Sequence, residues 1–439
     1  MILVDKALEK RQQEGNPVRV ALVGSGYMGR GIALEILTAM TGMRLVAICN
    51  RTLSGAEQAY RQAGINSLTV VDTVADLERS IALGRHAITD DPAVVCQAEN
   101  VEAVIDATGE IEFGAHVAVN AIAHGKHVIL MNAELDSTVG PILKVYADRA
   151  GVVLTYTDGD EPGVAMNLYR FVKTIGYKPL LMGQIKGFLD RYRNPETQKG
   201  FAEKHRQKAP MVASFADGSK LSLEGTIMAN ATGFKVGKRG MYGPACADVK
   251  DILNHFSADQ LLKDGGWVDF ALGATPGTGA FVVGYNDHPV LVEYMKYFKM
   301  GDGPLYLFYT PFHLPHLQLP LTVARAVLFH DATLAPMGAP VCDTLAVAKR
   351  ELKSGELLDG MGGFTCYGLI DKYEVTQAEN FLPMALSQGC RLKRDIPKDS
   401  PISYADVELP PGRLCDKLRA EQTMYFQSSV QAVSAQALA

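Results

Sequence analysis

VRVALVGSGYMGRGIALEILTAM, residues 18–40, is the stretch that decides the fold. An apolar, β-branched run at 18–23 passes directly into Gly24, Gly26 and Gly29, and the residues that follow repeat their apolar side chains at helical spacing. Strand, tight turn and helix in that order turn G-x-G-x-x-G from a weak motif into a dinucleotide-binding fingerprint. The first glycine makes the turn, the second lets the backbone approach a pyrophosphate, and the third lets helix and strand pack closely. The diphosphate is expected on the free N–H groups at the helix N-terminus, beside Tyr27 and Met28, where the helix dipole favours an anion.

Outward from this stretch the pattern repeats. RLVAIC at 44–49, SLTVV, AVIDATG at 103–109, HVILMN at 127–132 and VVLTYTDGD at 152–160 read as strands, separated by helical segments such as TLSGAEQAYRQAG and FGAHVAVNAIAHG. Strands alternating with helices imply a parallel sheet with crossover helices, so the fold class is α/β with a Rossmann domain over residues 1–160. Past residue 160 Gly and Pro become frequent and the alternation stops. Residues 161–335 read as a central α+β catalytic and dimerisation domain with GAFVVGY and PLYLFYT as strands, and 336–439 as a β-rich C-terminal module ending in a polar tail, SSVQAVSAQALA.

Composition narrows the function. The 439 residues carry a net charge of −5, which opposes nucleic-acid binding, and no apolar run approaches the roughly 18 residues of a membrane span. The charged start, MILVDKALEKRQQEGNP, is unlike a secretory signal or transit peptide, so a cytoplasmic protein is expected. Seven dispersed cysteines without a C-x-x-C pair read as reduced thiols.

The second strand ends Cys49-Asn50-Arg51-Thr52, with no acid to bond a ribose 2′-hydroxyl and a guanidinium able to bond a 2′-phosphate. NADPH is therefore the expected cofactor, with Thr108, Gly109 and Asn132 at the later strand ends also placed on it. Asp158, Asp160 and Glu161 crowd three carboxylates into four residues, which calls for a compensating cation; oxygen ligands suit Mg²⁺ or Mn²⁺, and helix-capping acids are the plainer reading. Lys186 is suited to polarising a carbonyl oxygen. Arg191, Arg193, Lys235, Lys238 and Arg239 are candidates to hold a phosphate, or else form a solvated face. His313 and His316 flank Pro315, which opposes a helical metal pair, and read as core or interface histidines.

Met131-Asn132-Ala133-Glu134 and the run Ile185 to Asn194, IKGFLDRYRN, resemble homoserine dehydrogenase over roughly the first 200 residues, with Ala133 at a lysine position and Arg191-Tyr192-Arg193 in place of small residues. Residues 340–410, with VAKRELKSGELLDGMGG and ISYADVEL, resemble a SAF-type β-clip module. Together these features resemble the 1-deoxy-D-xylulose 5-phosphate reductoisomerase-like proteins. That resemblance implies an NADPH- and metal-dependent reductoisomerase making 2-C-methyl-D-erythritol 4-phosphate in isoprenoid biosynthesis, a phosphorylated sugar substrate and a homodimer. It places metal on Asp158, Asp160 and Glu161, and it makes Asn132 and Glu134 similar to an N-x-E element. Lys186, Glu161 and Glu134 are then the catalytic set. Two other readings stand beside it: a homoserine-dehydrogenase-like, metal-independent dehydrogenase of another small carbonyl compound using Lys186, and a non-catalytic NADP sensor with a carbohydrate-binding SAF-like module.

Overall fold

The computed structural model describes residues 3–437, with side chains described as far as residue 428. It divides into two compact units, Met1–Gly159 with Leu314–Ala335 and Arg413–Ala439, and Asp160–His313 with Pro336–Gly412.

The first unit is built on seven strands: β1 (Val18–Val23), β2 (Met43–Cys49), β3 (Leu68–Val70), β4 (His86–Thr89), β5 (Ala103–Asp106), β6 (His127–Leu130) and β7 (Leu154–Tyr156). They pair in the order β3-β4-β2-β1-β5-β6-β7, every pair parallel. The winding reverses between β1 and β5, the point at which open α/β sheets bind ligands. Register brings Val23 opposite both Cys49 and Asp106, so the three loops that follow these strands start level with one another. The sequence reading has no strand between SLTVV and AVIDATG; β4 fills that gap, four residues opening on a histidine and too short for a periodicity to show.

Two distant segments return to this unit. The helix Pro315–Phe329, expected in the central domain, buries Leu319, Val323, Ala324 and Ala326 in the same core as Val20, Leu22 and Ile32. It rests His316 on Gly31, where a Cβ would lie 2.7 Å from the imidazole, so this histidine is a packing residue. The helix Leu414–Ala437 packs on the helix Ala133–Ala150 beside Pro141 and runs through most of the expected tail, whose side chains past 428 lie outside the described residues. Near that proline the turn joining Thr138 and Ile142 is bridged from outside. The Ile142 N–H donates to Gln422 Oε1 at 3.2 Å, while Gln422 Nε2 and Arg419 Nη1 donate to the Thr138 carbonyl at 3.2 and 2.9 Å. A side chain thus satisfies backbone groups that the proline-disturbed helix would otherwise leave buried and unpaired.

The second unit holds a mixed four-stranded sheet of β8 (Lys178–Lys186), β9 (Trp267–Leu272), β10 (Ala280–Tyr285) and β11 (Leu305–Thr310), in the order β11-β10-β8-β9. β8 is parallel to β9 and antiparallel to β10. Helix Ser219–Thr232 is buried along nearly its whole length. Against it lies an antiparallel pair, β12 (Cys342–Ala348) and β13 (Cys366–Lys372): Ser219 Oγ accepts from the Gly368 N–H at 2.8 Å, and the Thr226 and Thr344 hydroxyls meet at 2.8 Å. Residues 336–412 therefore share their packing with the central helix of this unit. No helix among the described residues is long and apolar enough to cross a membrane.

Candidate active site

In the first unit the glycine turn has the shape that its three glycines were expected to give. Gly24 has φ +97°, and a Cβ there would stand 2.8 Å from the Ala107 carbonyl. A Cβ on Gly29 would meet the Gly24 carbonyl oxygen at 2.0 Å, whereas one on Gly26 would meet nothing within 4 Å. The helix Tyr27–Thr38 starts at Gly26 with no side-chain cap and no acid in its first turn, which leaves its N–H groups and dipole suited to an anion. These features fit a dinucleotide pyrophosphate. Tyr27 is exposed beside the turn and Met28 packs partly into the core.

Asn50 shapes the turn: its Oδ1 accepts from the Ser25 N–H at 3.1 Å and its Nδ2 donates to the Thr52 carbonyl at 2.9 Å. Arg51 beside it is exposed. Buried Asp106 accepts from the Thr108 hydroxyl at 2.6 Å and from Asn132 Nδ2 at 3.0 Å; Asn132 in turn caps its helix by accepting from the Leu135 N–H at 3.1 Å. This network fixes the loop carrying Thr108 and Gly109. Glu134 lies buried in the first turn of the same helix.

In the second unit, charged side chains from separate elements converge. Strand alternation puts Gln184 and Lys186, at the end of β8, on one face, while Ile185 joins the apolar core on the other. Lys186 Nζ donates to Glu161 Oε1 at 2.8 Å and lies 3.9 Å from Glu224 Oε2. Gln184 Nε2 donates to Glu224 Oε2 at 2.8 Å. Lys220, one helical turn before Glu224, stands 3.5 Å from Glu224 Oε1 and 3.9 Å from Asp160 Oδ2. His313 Nε2 lies 3.7 Å from Glu161 Oε2, and its Nδ1 is 2.8 Å from the Thr278 hydroxyl.

Burial and charge set the protonation of this group. Burial pushes the Glu161 carboxyl up, but the attraction of Lys186, then of His313 and Lys220, outweighs it and holds Glu161 ionised well below the usual range. Burial lowers Lys186, but Glu161 and Glu224 raise it further, so its ammonium is retained. Burial first, then the charges of Glu161 and Asp160, push Glu224 up to about 8. Glu161 and Asp160 each face a lysine, Lys186 at 2.8 Å and Lys220 at 3.9 Å.

This pairing bears on the expectation of a metal. Asp160, Glu161 and His313 do offer donor atoms within 4.8 Å of one another. However, Asp158 belongs to the other unit, where Arg325 Nη1 lies 3.5 Å from its Oδ2. Two lysines already supply the positive charge that the crowded acids require, one of them hydrogen-bonded to Glu161. Lys186 sits on Glu161 Oε1, while Oε2 faces His313.

Each of the five cations expected on phosphate has a partner within the chain. Arg193 pairs with Asp190, Lys235 with Glu374 and Arg239 with Asp371, while Arg191 and Lys238 lie over the rings of Tyr367 and Tyr242. Sequence reasoning missed Gln184, Lys220, Glu224 and Thr278, and treated His313 like His316. The available signal was Lys220 and Glu224 at i, i+4 inside an otherwise apolar and small-residue helix, where a charged pair facing inward needs partners.

Two family models match this chain. Residues 18–130 fit "Oxidoreductase family, NAD-binding Rossmann fold", and residues 159–319 fit "Oxidoreductase DRL, catalytic domain". No curated protein matches. Among solved structures, a probable dehydrogenase from Thermotoga maritima is 15% identical, with 61% of this chain and 73% of that one covered and a TM-score of 0.37. Apo scyllo-inositol dehydrogenase from Lactobacillus casei is 13% identical over 72% of this chain and 89% of that one, with a TM-score of 0.39. Myo-inositol dehydrogenase from the same organism, solved with NAD(H) and myo-inositol, is 13% identical over 66% and 74%, with a TM-score of 0.35. At these scores the likeness carries nothing about this chain's substrate.

The coarse assignment is an oxidoreductase with a nicotinamide-dinucleotide-binding Rossmann fold. The two family matches, to an NAD-binding oxidoreductase model and an oxidoreductase catalytic domain, correct the identification as a 1-deoxy-D-xylulose 5-phosphate reductoisomerase-like or homoserine-dehydrogenase-like protein. The same matches correct the reductoisomerase activity and its isoprenoid role.

Proposed function

We propose that the chain is a nicotinamide-dinucleotide-dependent dehydrogenase or reductase of a small polar carbonyl or alcohol, with Lys186 as its acid. The observation that carries this is the Lys186 ammonium, hydrogen-bonded at 2.8 Å to a buried, ionised Glu161 within the stretch matched by an oxidoreductase catalytic model. Gly24, Gly26 and Gly29 would hold the nicotinamide dinucleotide, which would supply the hydride. Lys186 would give a proton to the carbonyl oxygen as it gains charge, and Glu161 would hold the ammonium in place. NADP is favoured over NAD because Arg51 follows the second strand, where an acid would repel a 2′-phosphate.

The test follows cofactor absorbance with NADPH or NADH and a panel of DL-glyceraldehyde, its 3-phosphate, dihydroxyacetone, glyoxylate and, in the oxidising direction, myo-inositol. Turnover of at least one compound is expected, faster with the phosphorylated cofactor and unchanged by a metal chelator. No turnover across the panel contradicts the reading, and loss of turnover on chelation contradicts the metal-free version of it. Arg51→Asp should lower the NADP preference by about tenfold, the worth of one charge-assisted phosphate contact.

A further inference from the structure

Lys349, directly after β12, is a lysine only 5% exposed, and no step above uses it. Its ammonium has three protons and meets three acceptors: Asp217 Oδ2 at 2.8 Å, the Arg193 carbonyl at 2.7 Å and the Gly363 carbonyl at 2.7 Å. Two of these lead toward Lys186. Arg193 lies in the loop that leaves β8 at Lys186, and the Asp190 N–H of that loop donates to the Ala216 carbonyl at 2.8 Å. Asp217 Oδ1 accepts from the Ser219 N–H at 2.8 Å, at the start of the helix that presents Lys220 and Glu224 to the charged cluster. The same loop is tied to residues 336–412 twice more: Arg191 lies over the Tyr367 ring, and the Tyr192 hydroxyl donates to Asp399 Oδ2 at 2.9 Å. A buried ion pair is a poor stabiliser, because desolvation offsets its attraction. What this one supplies is a fixed geometry for the segments it joins.

We infer that Lys349 is a positioning residue, the anchor by which residues 336–412 set the loop after Lys186 and the first turn of the helix carrying Lys220 and Glu224. This rests on the dehydrogenase reading above and gives the C-terminal segment a part in it. With the ammonium in place, backbone at 193, 217 and 363 is fixed around one nitrogen, so the segments that carry Lys186 and Lys220 cannot shift independently. Without it, the loop keeps only its contacts through Asp190, Arg191 and Tyr192, and Asp217 is left buried without its cation. Lys186 then meets a substrate oxygen out of line more often. A methionine in place of Lys349 fills a similar length and offers no donor to the three acceptors.

The experiment compares Lys349→Met, and Lys349→Met combined with Asp217→Asn, with the unmodified full chain. It measures NADPH-dependent turnover of whichever panel compound the unmodified protein uses, thermal melting and amide hydrogen exchange. Lys349→Met is expected to lower the melting temperature, since it strands the Asp217 charge, and the charge-neutral double variant to recover most of that loss. In both, kcat is expected to fall by about 100-fold, the scale of a misplacement of roughly 1 Å, with KM and NADPH affinity within a few-fold of the unmodified protein. Exchange in the double variant should rise in residues 187–198 and 219–224 and stay unchanged in residues 18–40. A kcat that returns together with the melting temperature in the double variant makes Lys349 a structural residue and overturns the inference while the dehydrogenase reading stands. Unchanged exchange in residues 187–198 overturns it as well. No turnover by the unmodified protein overturns that reading, and the positioning role with it.

Discussion

Gly24, Gly26 and Gly29 lie within six residues of sequence, whereas Glu161, Gln184, Lys186, Lys220, Glu224, Thr278 and His313 come together from positions scattered between 161 and 313. Both groups serve the same proposed reaction, one through cofactor binding and the other through proton transfer. The glycine turn works by what its residues lack: each position must be bare because a backbone atom or a ligand approaches it. The cluster works by charge compensation, which only the folded chain can assemble. A local steric requirement leaves a spacing in the sequence, and a distributed electrostatic one does not.

The sharpest way to break the local half is Gly29→Ala. Its Cβ would stand 2.0 Å from the Gly24 carbonyl oxygen, so strand and helix must part. The expected cost is about 1–3 kcal/mol, by analogy with overpacking, felt as a 10- to 100-fold weaker NADPH affinity in a fluorescence titration. Gly26→Ala at the open position should leave the melting temperature unchanged and weaken cofactor alone. Equal effects at both positions would mean that the turn is not shaped as described.

The first unit has a distributed feature of its own, and Gln422→Ala probes it. Removing the amide that bridges Thr138 and Ile142 uncovers buried backbone groups, for about 1–2 kcal/mol of stability in denaturant unfolding. Unchanged stability would show that the Ile142 N–H and the Thr138 carbonyl do not depend on this amide.

Glu224→Gln gives the effect that depends most on pH. Because the folded protein raises this carboxyl from its ordinary value near 4.3 to about 8, the native state holds a proton that the unfolded state releases. The stability it contributes is fully present at low pH and is lost as pH rises through that window, at no more than about 1.4 kcal/mol per pH unit. Glutamine, a neutral mimic, should be near wild type in acid and progressively more stable than wild type toward pH 8. Parallel stability curves for the two proteins would mean that Glu224 is ionised throughout.

The same contrast explains what was legible from sequence. The parallel order of the Rossmann sheet follows from strand and helix patterns, and Lys186 stands out as a cation closing a strand. The short β4, the return of Pro315–Phe329 to the first core and the bridging by Gln422 depend on contacts between residues far apart in the chain. Asp158, Asp160 and Glu161 looked like one metal site because they are neighbours in sequence, but the backbone passes through Gly159 at φ +81° and sends Asp158 to Arg325 and Asp160 and Glu161 to the lysines. His313 and His316 are three residues apart, yet one borders the charged cluster and the other packs on Gly31.

The most direct test of the account is to measure Lys186→Met twice, once for NADPH affinity and once for turnover of whichever panel compound the unmodified protein uses. The account predicts an unchanged dissociation constant together with a rate lower by about 10²- to 10⁴-fold, the loss of a general acid. A rate within a few-fold of the unmodified protein, with the cofactor still bound, would contradict it.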